Sequence, residues 1–466
     1  MHPISLFSPP VPESKTVDVP YSNGKILWYI LLHALLATAA HNFPFVATIH
    51  AGVVGLYSLY LVFNEKHIGH YLALMGYIAS CEVFWRMTRA TIPWMYAEYL
   101  CLFLIIFGLM RISGSQKTIF LPLYYVALLL PSMVLTFFQY DFGEAREAVA
   151  FNLVGPVVLG TGMFVASRFK VPHRYVVKAL LLSVFPAIAI AVITILSVYV
   201  EGAAFAAVSE SNKAASGGYA PNQVSSALSF GIVALLLIMF TSSEYKHARR
   251  LFIIIIVVLI AQMILTLSRG GVANLAVFLV VALPFFISSN TRRVQFLTAV
   301  VVAIVVMWAV VLPALDDYTS GAITRRYSDA ETTRRTYIME REIDVFEESP
   351  IMGVGPGRAM EYRFLSGHGY VQSHTEYTRV LAEHGLVGAL GTILLAITFI
   401  ILFFRTKDIW RKGFIFGSAA WIFTYFAHSA SRTVQFAFLG ILATLVVHSL
   451  TQDEEQENSE EPKWSG

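Results

Sequence analysis

The sequence predicts an all-α fold: a polytopic helical bundle in a membrane, with about 12–14 spans and one large, partly helical outer loop. Three observations predict it. Of 466 residues, 56% are hydrophobic and 14% charged, with a mean hydropathy of +0.65. A soluble chain of this length carries about a quarter charged residues. Apolar runs long enough to cross a bilayer recur almost throughout. The short loops rich in Lys and Arg all fall on one side when the runs are counted as spans.

Taken in order, a polar segment over 1–25 is followed by apolar runs at 26–42, 44–63, 69–88, 93–110, 118–138, 151–167, 176–200, 222–241, 251–267, 271–288 and 294–313. Three more follow at 386–404, 413–430 and 433–450. Each is near the roughly 17–25 residues that a membrane helix needs. The first two are close enough to be one span and a re-entrant piece. No cleavable signal peptide is expected, because the first apolar run is too long for one. Cys81 and Cys101 both sit inside apolar runs and read as packing residues, with no metal-ligand spacing around them. The acidic tail, 451–466, reads as disordered and cytoplasmic.

The basic loops "SRFKVPHRYVVK" (167–178), "EYKHARR" (244–250), "TRR" (291–293) and "RTKDIWRK" (405–412) mark the cytoplasmic side. Two long connections then fall outside, at 201–221 and 314–385. The second, roughly 70 residues long, exceeds ordinary connections and is where function is expected. The chain thus divides into 26–313, the main span region, the outer loop 314–385, and the closing spans 386–450.

Several arginines sit outside despite the positive-inside bias. They include Arg86 and Arg89 ("FWRMTRA"), Arg146 ("DFGEAREAVAF"), Arg269 ("LTLSRGG"), and Arg334, Arg341, Arg358, Arg363 and Arg379 in the large loop. Any one of them can snorkel or pair with a carboxylate. As a group they point to an anionic ligand, since the guanidinium fork matches phosphate oxygens. Arg269 is the sharpest case. Ser268 precedes it, Gly270 and Gly271 bare the backbone, and the start of the next helix favours an anion. The other reading is a tight interhelical turn.

In the loop, Met339, Ile343 and Phe346 recur at helical spacing and are expected to pack inward. "GVGPGR" (353–358) is a turn-rich segment that lacks the Gly-Lys-Ser/Thr ending of a nucleotide loop. "SHTEYTRVLAEHGLVG" follows. Ser373 and Glu376 have capping-box spacing, which predicts Ser373 as N-cap and His374 as the first helical residue. The helix dipole there favours a neutral imidazole, the form a general base needs. His368 and His384 lack this placement.

At these residues the chain resembles the O-antigen ligase and O-antigen polymerase superfamily, bacterial membrane glycosyltransferases with a large periplasmic loop. The resemblance rests on "LSRGG", "ESPIMGVGPG" and "SHTEYTRVLAEHGLVG", with "YAPNQVSSALSFG" (219–231), and is strongest over 220–404. It implies a membrane glycosyltransferase C-type fold and an inverting, metal-independent reaction without cofactor. The ligases move a glycan from undecaprenyl pyrophosphate to lipid A–core at the outer face of the inner membrane. The polymerases extend another lipid-linked glycan instead. Arg269, Arg146, Arg334 and Arg86 become the candidate donor-pyrophosphate residues, and His374 the catalytic one. Ser268, Gly270, Gly271, Glu376 and Tyr377 are their supports. Many members carry Asn after the histidine, where this chain has Thr375. The expected partners are a lipid-linked glycan, a glycolipid or glycan acceptor, and the bilayer, with no nucleic acid. A transporter is the reading from another class, because Glu82 and Glu98 lie in apolar runs.

Overall fold

Ser22 opens the first helix by accepting the Lys25 N–H on its hydroxyl, and apolar sequence carries it on to Asn42. The computed structural model describes residues 21–203, 205, 211–287, 309, 312–328, 335–361 and 373–447. Within them the chain is almost wholly helical. The helices are α1 (Asn23–Asn42), α2 (Pro44–Asn64), α3 (Ile68–Met87), α4 (Tyr96–Phe103), α5 (Leu121–Leu129), α6 (Met133–Gln139) and α7 (Phe142–Ala166). They continue as α8 (His173–Ile195), α9 (Pro221–Thr241), α10 (Arg249–Leu265) and α11 (Arg269–Phe286). The long connection between α11 and the closing helices holds α12 (Leu312–Tyr318), α13 (Ala322–Ser328) and α14 (Arg335–Glu348). The chain closes with α15 (Glu376–Arg405), α16 (Ile409–Ser429) and α17 (Gln435–Thr444).

Among the described residues, nine helical stretches are long and apolar enough to cross a membrane. Helices α3 and α16 match them in length, at 20 and 21 residues, with more polar side chains. The protein is therefore an all-α polytopic membrane protein. Its outward faces fit that setting: Trp28, Leu35, Phe45, Leu56, Phe63 and Phe404 are exposed apolar side chains that lipid would cover.

The first two expected runs fold as two helices, as the sequence reading sets them out, and several later runs differ from the expected spans. Helices α1 and α2 are separate, hinged at Phe43–Pro44. His33 and His50 both bond the Tyr77 hydroxyl at 2.9 Å, which ties the pair to α3. The run 93–110 is only briefly α-helical and passes into a π-helical turn at Leu104–Gly108. The run 118–138 breaks into α5 and α6 at Pro131, which cannot supply a helical N–H. Helix α7 begins at Phe142 rather than 151, so Arg146 rides on a helix and not in a loop. Most of the expected span 294–313, the "TRR" loop, Arg334, Arg363, His368 and both terminal segments lie outside the described residues.

The packing separates two ends. At one, β1 (Lys170–Val171) and β2 (Val446–Val447) pair in parallel, Lys170 opposite Val446. Arg411 ties the loop 405–412 to this end by donating to the carbonyls of Leu442, Ala443 and Leu445. The 244–250 loop meets the chain start through Asn23 and His247. The other end gathers the loop helices and the predicted site residues.

Helix α14 corrects one expectation. Its buried stripe is Ile338, Glu342 and Val345, while Met339 is 39% exposed. A carboxylate occupies the middle of the inward face, so the apolar pattern is read one residue out of phase. Glu342 is buried because it accepts the hydroxyls of Ser373 and Thr378 at the start of α15.

Candidate functional site

The "SRGG" junction is built by packing. Leu267 adopts a left-handed backbone, φ 53°, and is fully buried. The chain then turns into α11 with Ser268 as N-cap and Arg269 as its first residue. The Ser268 hydroxyl donates to Asn222 at 2.7 Å. Gly271 N–H donates to Ser225 Oγ at 2.8 Å, and a side chain at Gly271 would overlap Ser225. A side chain at Gly270 would meet the His428 ring. The glycines thus admit α9 and α16 at close range, which corrects the expectation that they bare backbone for a ligand. Arg269 itself is half-buried. Helix α13 covers the junction: Arg326 donates to the Leu267 carbonyl at 3.2 Å, and Arg269 is within electrostatic reach of Tyr327.

The start of α15 also differs from the expected capping box. Thr375, not Ser373, is the N-cap, accepting the Thr378 N–H at 3.3 Å. Ser373 is instead committed to Glu342. His374 lies one residue before the cap, half-buried, so the helix dipole acts on it from a little farther than expected. Glu376 closes no box. It is buried and grips Arg379 at 2.5 Å, and it accepts the Ser431 hydroxyl at 3.1 Å. Arg379 also pairs with Glu383 at 2.7 Å. The Tyr377 hydroxyl donates to the Phe423 carbonyl at 2.8 Å.

Helix α15 breaks at Gly385, φ 62° and ψ −154°. The "PIMGVGPG" segment stitches the break. Val354 and Gly355 N–H donate to the Ala382 and Glu383 carbonyls, and Leu386 and Val387 N–H donate to Pro350 and Ile351. Backbone groups that a broken helix would orphan are satisfied by the loop. Gly353, φ 65°, lies so close to Glu383 and His384 that a side chain has no room.

These pieces meet at a turn that the sequence reading passed over, "SASRTV" (429–434) between α16 and α17. Ala430 and Ser431 are both left-handed, φ 46° and 49°. Consecutive non-glycine residues there cost energy and need surrounding contacts to hold them. Those contacts come from four elements. Glu82 accepts the Val434 N–H at 2.6 Å, and Arg86 donates to the Arg432 carbonyl at 2.7 Å. Glu376 takes Ser431, and His428 bonds Asn274 of α11 at 3.0 Å. Arg335, at the start of α14, is within electrostatic reach of His428. The turn therefore lies between the Arg269 junction and the His374 helix start.

Arg86 departs from its expected role. Its side chain is 5% exposed, paired with Glu82 at 2.6 Å and Glu98 at 3.2 Å. Carbonyls of Trp94 and Arg432 take further donors. These partners hold it at the edge of a second cavity, lined also by Glu82, Trp85 and Trp94. Arg146 remains exposed near the start of α7. Arg432 was legible by the same rule that singled out the other arginines, a cation on the outer side between two apolar runs. Burial and the neighbouring Arg379 pull its pKa down to about 10.

The sequence model of the O-antigen ligase family matches residues 254–393. The chain resembles the O-antigen ligase superfamily. The ligase-like stretch contains Arg269, the loop helices, "GVGPG", His374, Glu376 and the Gly385 break. Arg86, Arg146 and the 429–434 turn fall outside it. The match supports a ligase- or polymerase-type function in glycan assembly. No curated protein matches the chain.

Proposed function

We propose that this protein transfers a glycan from undecaprenyl pyrophosphate to an acceptor hydroxyl, on lipid A–core, at the periplasmic face of a bacterial inner membrane. The carrying observation is Arg269, the first residue of α11, inside the ligase-like stretch. Pyrophosphate is a good leaving group. The protein's tasks are to hold its charge and to orient the attacking hydroxyl. Arg269 holds the charge, with Arg146 and Arg334 as further donor-site cations. His374 accepts the hydroxyl proton or orients that hydroxyl. Glu82 and Glu98 are engaged with Arg86, which weakens the transporter reading.

Arg269→Lys keeps the charge and loses the planar fork, so transfer is expected to fall sharply with normal membrane insertion. Near-native transfer by Arg269→Ala would remove the residue from the mechanism. The glycan phenotype of a deletion strain tests the acceptor. Loss of all O-antigen from lipid A–core supports a ligase, whereas a single repeat unit on the core would make the protein a polymerase.

The orientation has its own test. Glu347 is exposed on α14 of the outer loop, and both native cysteines are buried. Glu347→Cys is expected to react with an impermeant thiol reagent in intact spheroplasts. Labelling only after lysis would reverse the topology.

A further inference from the structure

A cavity of about 370 Å³ opens beside α7. Its size is near the lower end of small-molecule sites, about 300–1,000 Å³. Asn152, Glu383 and Arg432 supply its inner polar groups, Phe151 a wall, and the exposed Glu144 and Glu147 its mouth.

Most of the inner polar groups are engaged. Glu383 is paired with Arg379 at 2.7 Å. The Asn152 amide donates to the Ala148 carbonyl at 2.8 Å. The Arg432 guanidinium lies over the Phe151 ring, 4.3 Å from its centre. Its Nη1 is shut off from solvent and has no acceptor among the described residues. A buried cationic donor left without an acceptor is costly, so an oxygen is called for at that point.

The mouth limits what can bring that oxygen. Glu144 and Glu147 lie three apart on α7 and line the mouth, whereas Arg146 between them is not among the lining residues, so a ligand with several negative charges would be repelled from this cavity. A hydroxyl-rich, nearly neutral ligand meets both demands. One of its oxygens accepts from Arg432, and its hydroxyls donate to carboxylates. Ser373 also lines the cavity, immediately before His374. A sugar held here has its hydroxyls beside the start of α15, where the proposed base stands.

We propose that this cavity binds a sugar residue of the acceptor glycan, with Arg432 as the positioning residue that hydrogen-bonds it. The word acceptor rests on the transfer reading above; saccharide binding does not.

Saturation-transfer NMR on the purified full-length protein in nanodiscs tests the site. The probes are the methyl β-glycosides of glucose, galactose and N-acetylglucosamine, each challenged with inorganic pyrophosphate. At least one glycoside is expected to bind and to resist displacement by pyrophosphate. Arg432→Gln should weaken it about tenfold or more, the value of a hydrogen bond to a charged group. A Glu144→Gln, Glu147→Gln double variant, altered only at the exposed mouth, should weaken it several-fold with an unchanged melting temperature. That variant decides the matter if Arg432→Gln does not fold. Absence of glycoside binding, displacement by pyrophosphate, or native affinity in the folded variants would overturn the site. Glycoside binding without any glycan transfer would keep the site and reject the transfer reading; transfer without glycoside binding would do the reverse.

Discussion

His374→Ala is expected to lower turnover by about 10²–10⁴-fold, the usual effect of losing an acid–base group. Donor affinity should stay close to native, because the proposed pyrophosphate contacts belong to the arginines. Structural damage is expected to be small, since His374 precedes the helix and Thr375 supplies the cap. Purified enzyme assayed with lipid-linked glycan and acceptor separates the two quantities. Full turnover in the alanine variant would end the general-base reading and leave charge stabilisation at the leaving group as the whole of catalysis. A loss of donor affinity equal to the loss of turnover would instead make His374 a binding residue.

Glu376→Ala is expected to be a folding defect. Glu376 is 1% exposed, pairs with Arg379 and accepts the hydroxyl of Ser431 in its left-handed turn. Leaving a buried charge without its partner costs about 3–5 kcal/mol, and because Arg379 keeps Glu383 the loss is expected at the lower end of that range. A helix cap alone would cost about 0.5–2 kcal/mol, which is what the capping-box reading implied. Thermal unfolding in detergent distinguishes the two ranges. Glu376→Gln keeps the shape and much of the hydrogen bonding, so it should fold better than the alanine variant and retain more transfer. A glutamine variant with native stability and no activity would move Glu376 from the scaffold into the chemistry.

Much of the architecture was readable from local pattern. Apolar run length has one dominant cause in a membrane, the thickness of hydrocarbon to be crossed. Most helices therefore appear close to where hydropathy places them, from α2 at 44–64 to α11 at 269–286. Arg269 at a helix start and the loop segments before α15 were legible for a similar reason: charge and glycine interrupt an apolar background. Where hydrophobicity does not vary, the pattern is silent. It did not show the π-helical turn after α4, and the early start of α7 was missed because residues 142–150 are polar and mostly exposed, a helical extension that hydropathy does not mark.

Partners distant in sequence were decided by the tertiary structure. The spacing of Ser373 and Glu376 suits a capping box, yet Ser373 bonds Glu342 and Glu376 bonds Arg379 and Ser431. Gly270 and Gly271 suit a ligand as well as they suit a helix contact, and the positions of His428 and Ser225 decide for the contact. Arg86 is expected on the same side as Arg269, but two carboxylates engage it. By itself, the sequence determined which residues can carry charge and which apolar runs they interrupt or border. Which of those charges is neutralised within the protein, and which faces a cavity, depends on elements up to 352 residues apart, as between Glu82 and Val434. A buried charge must be met at hydrogen-bond distance, and only the packed bundle sets those distances.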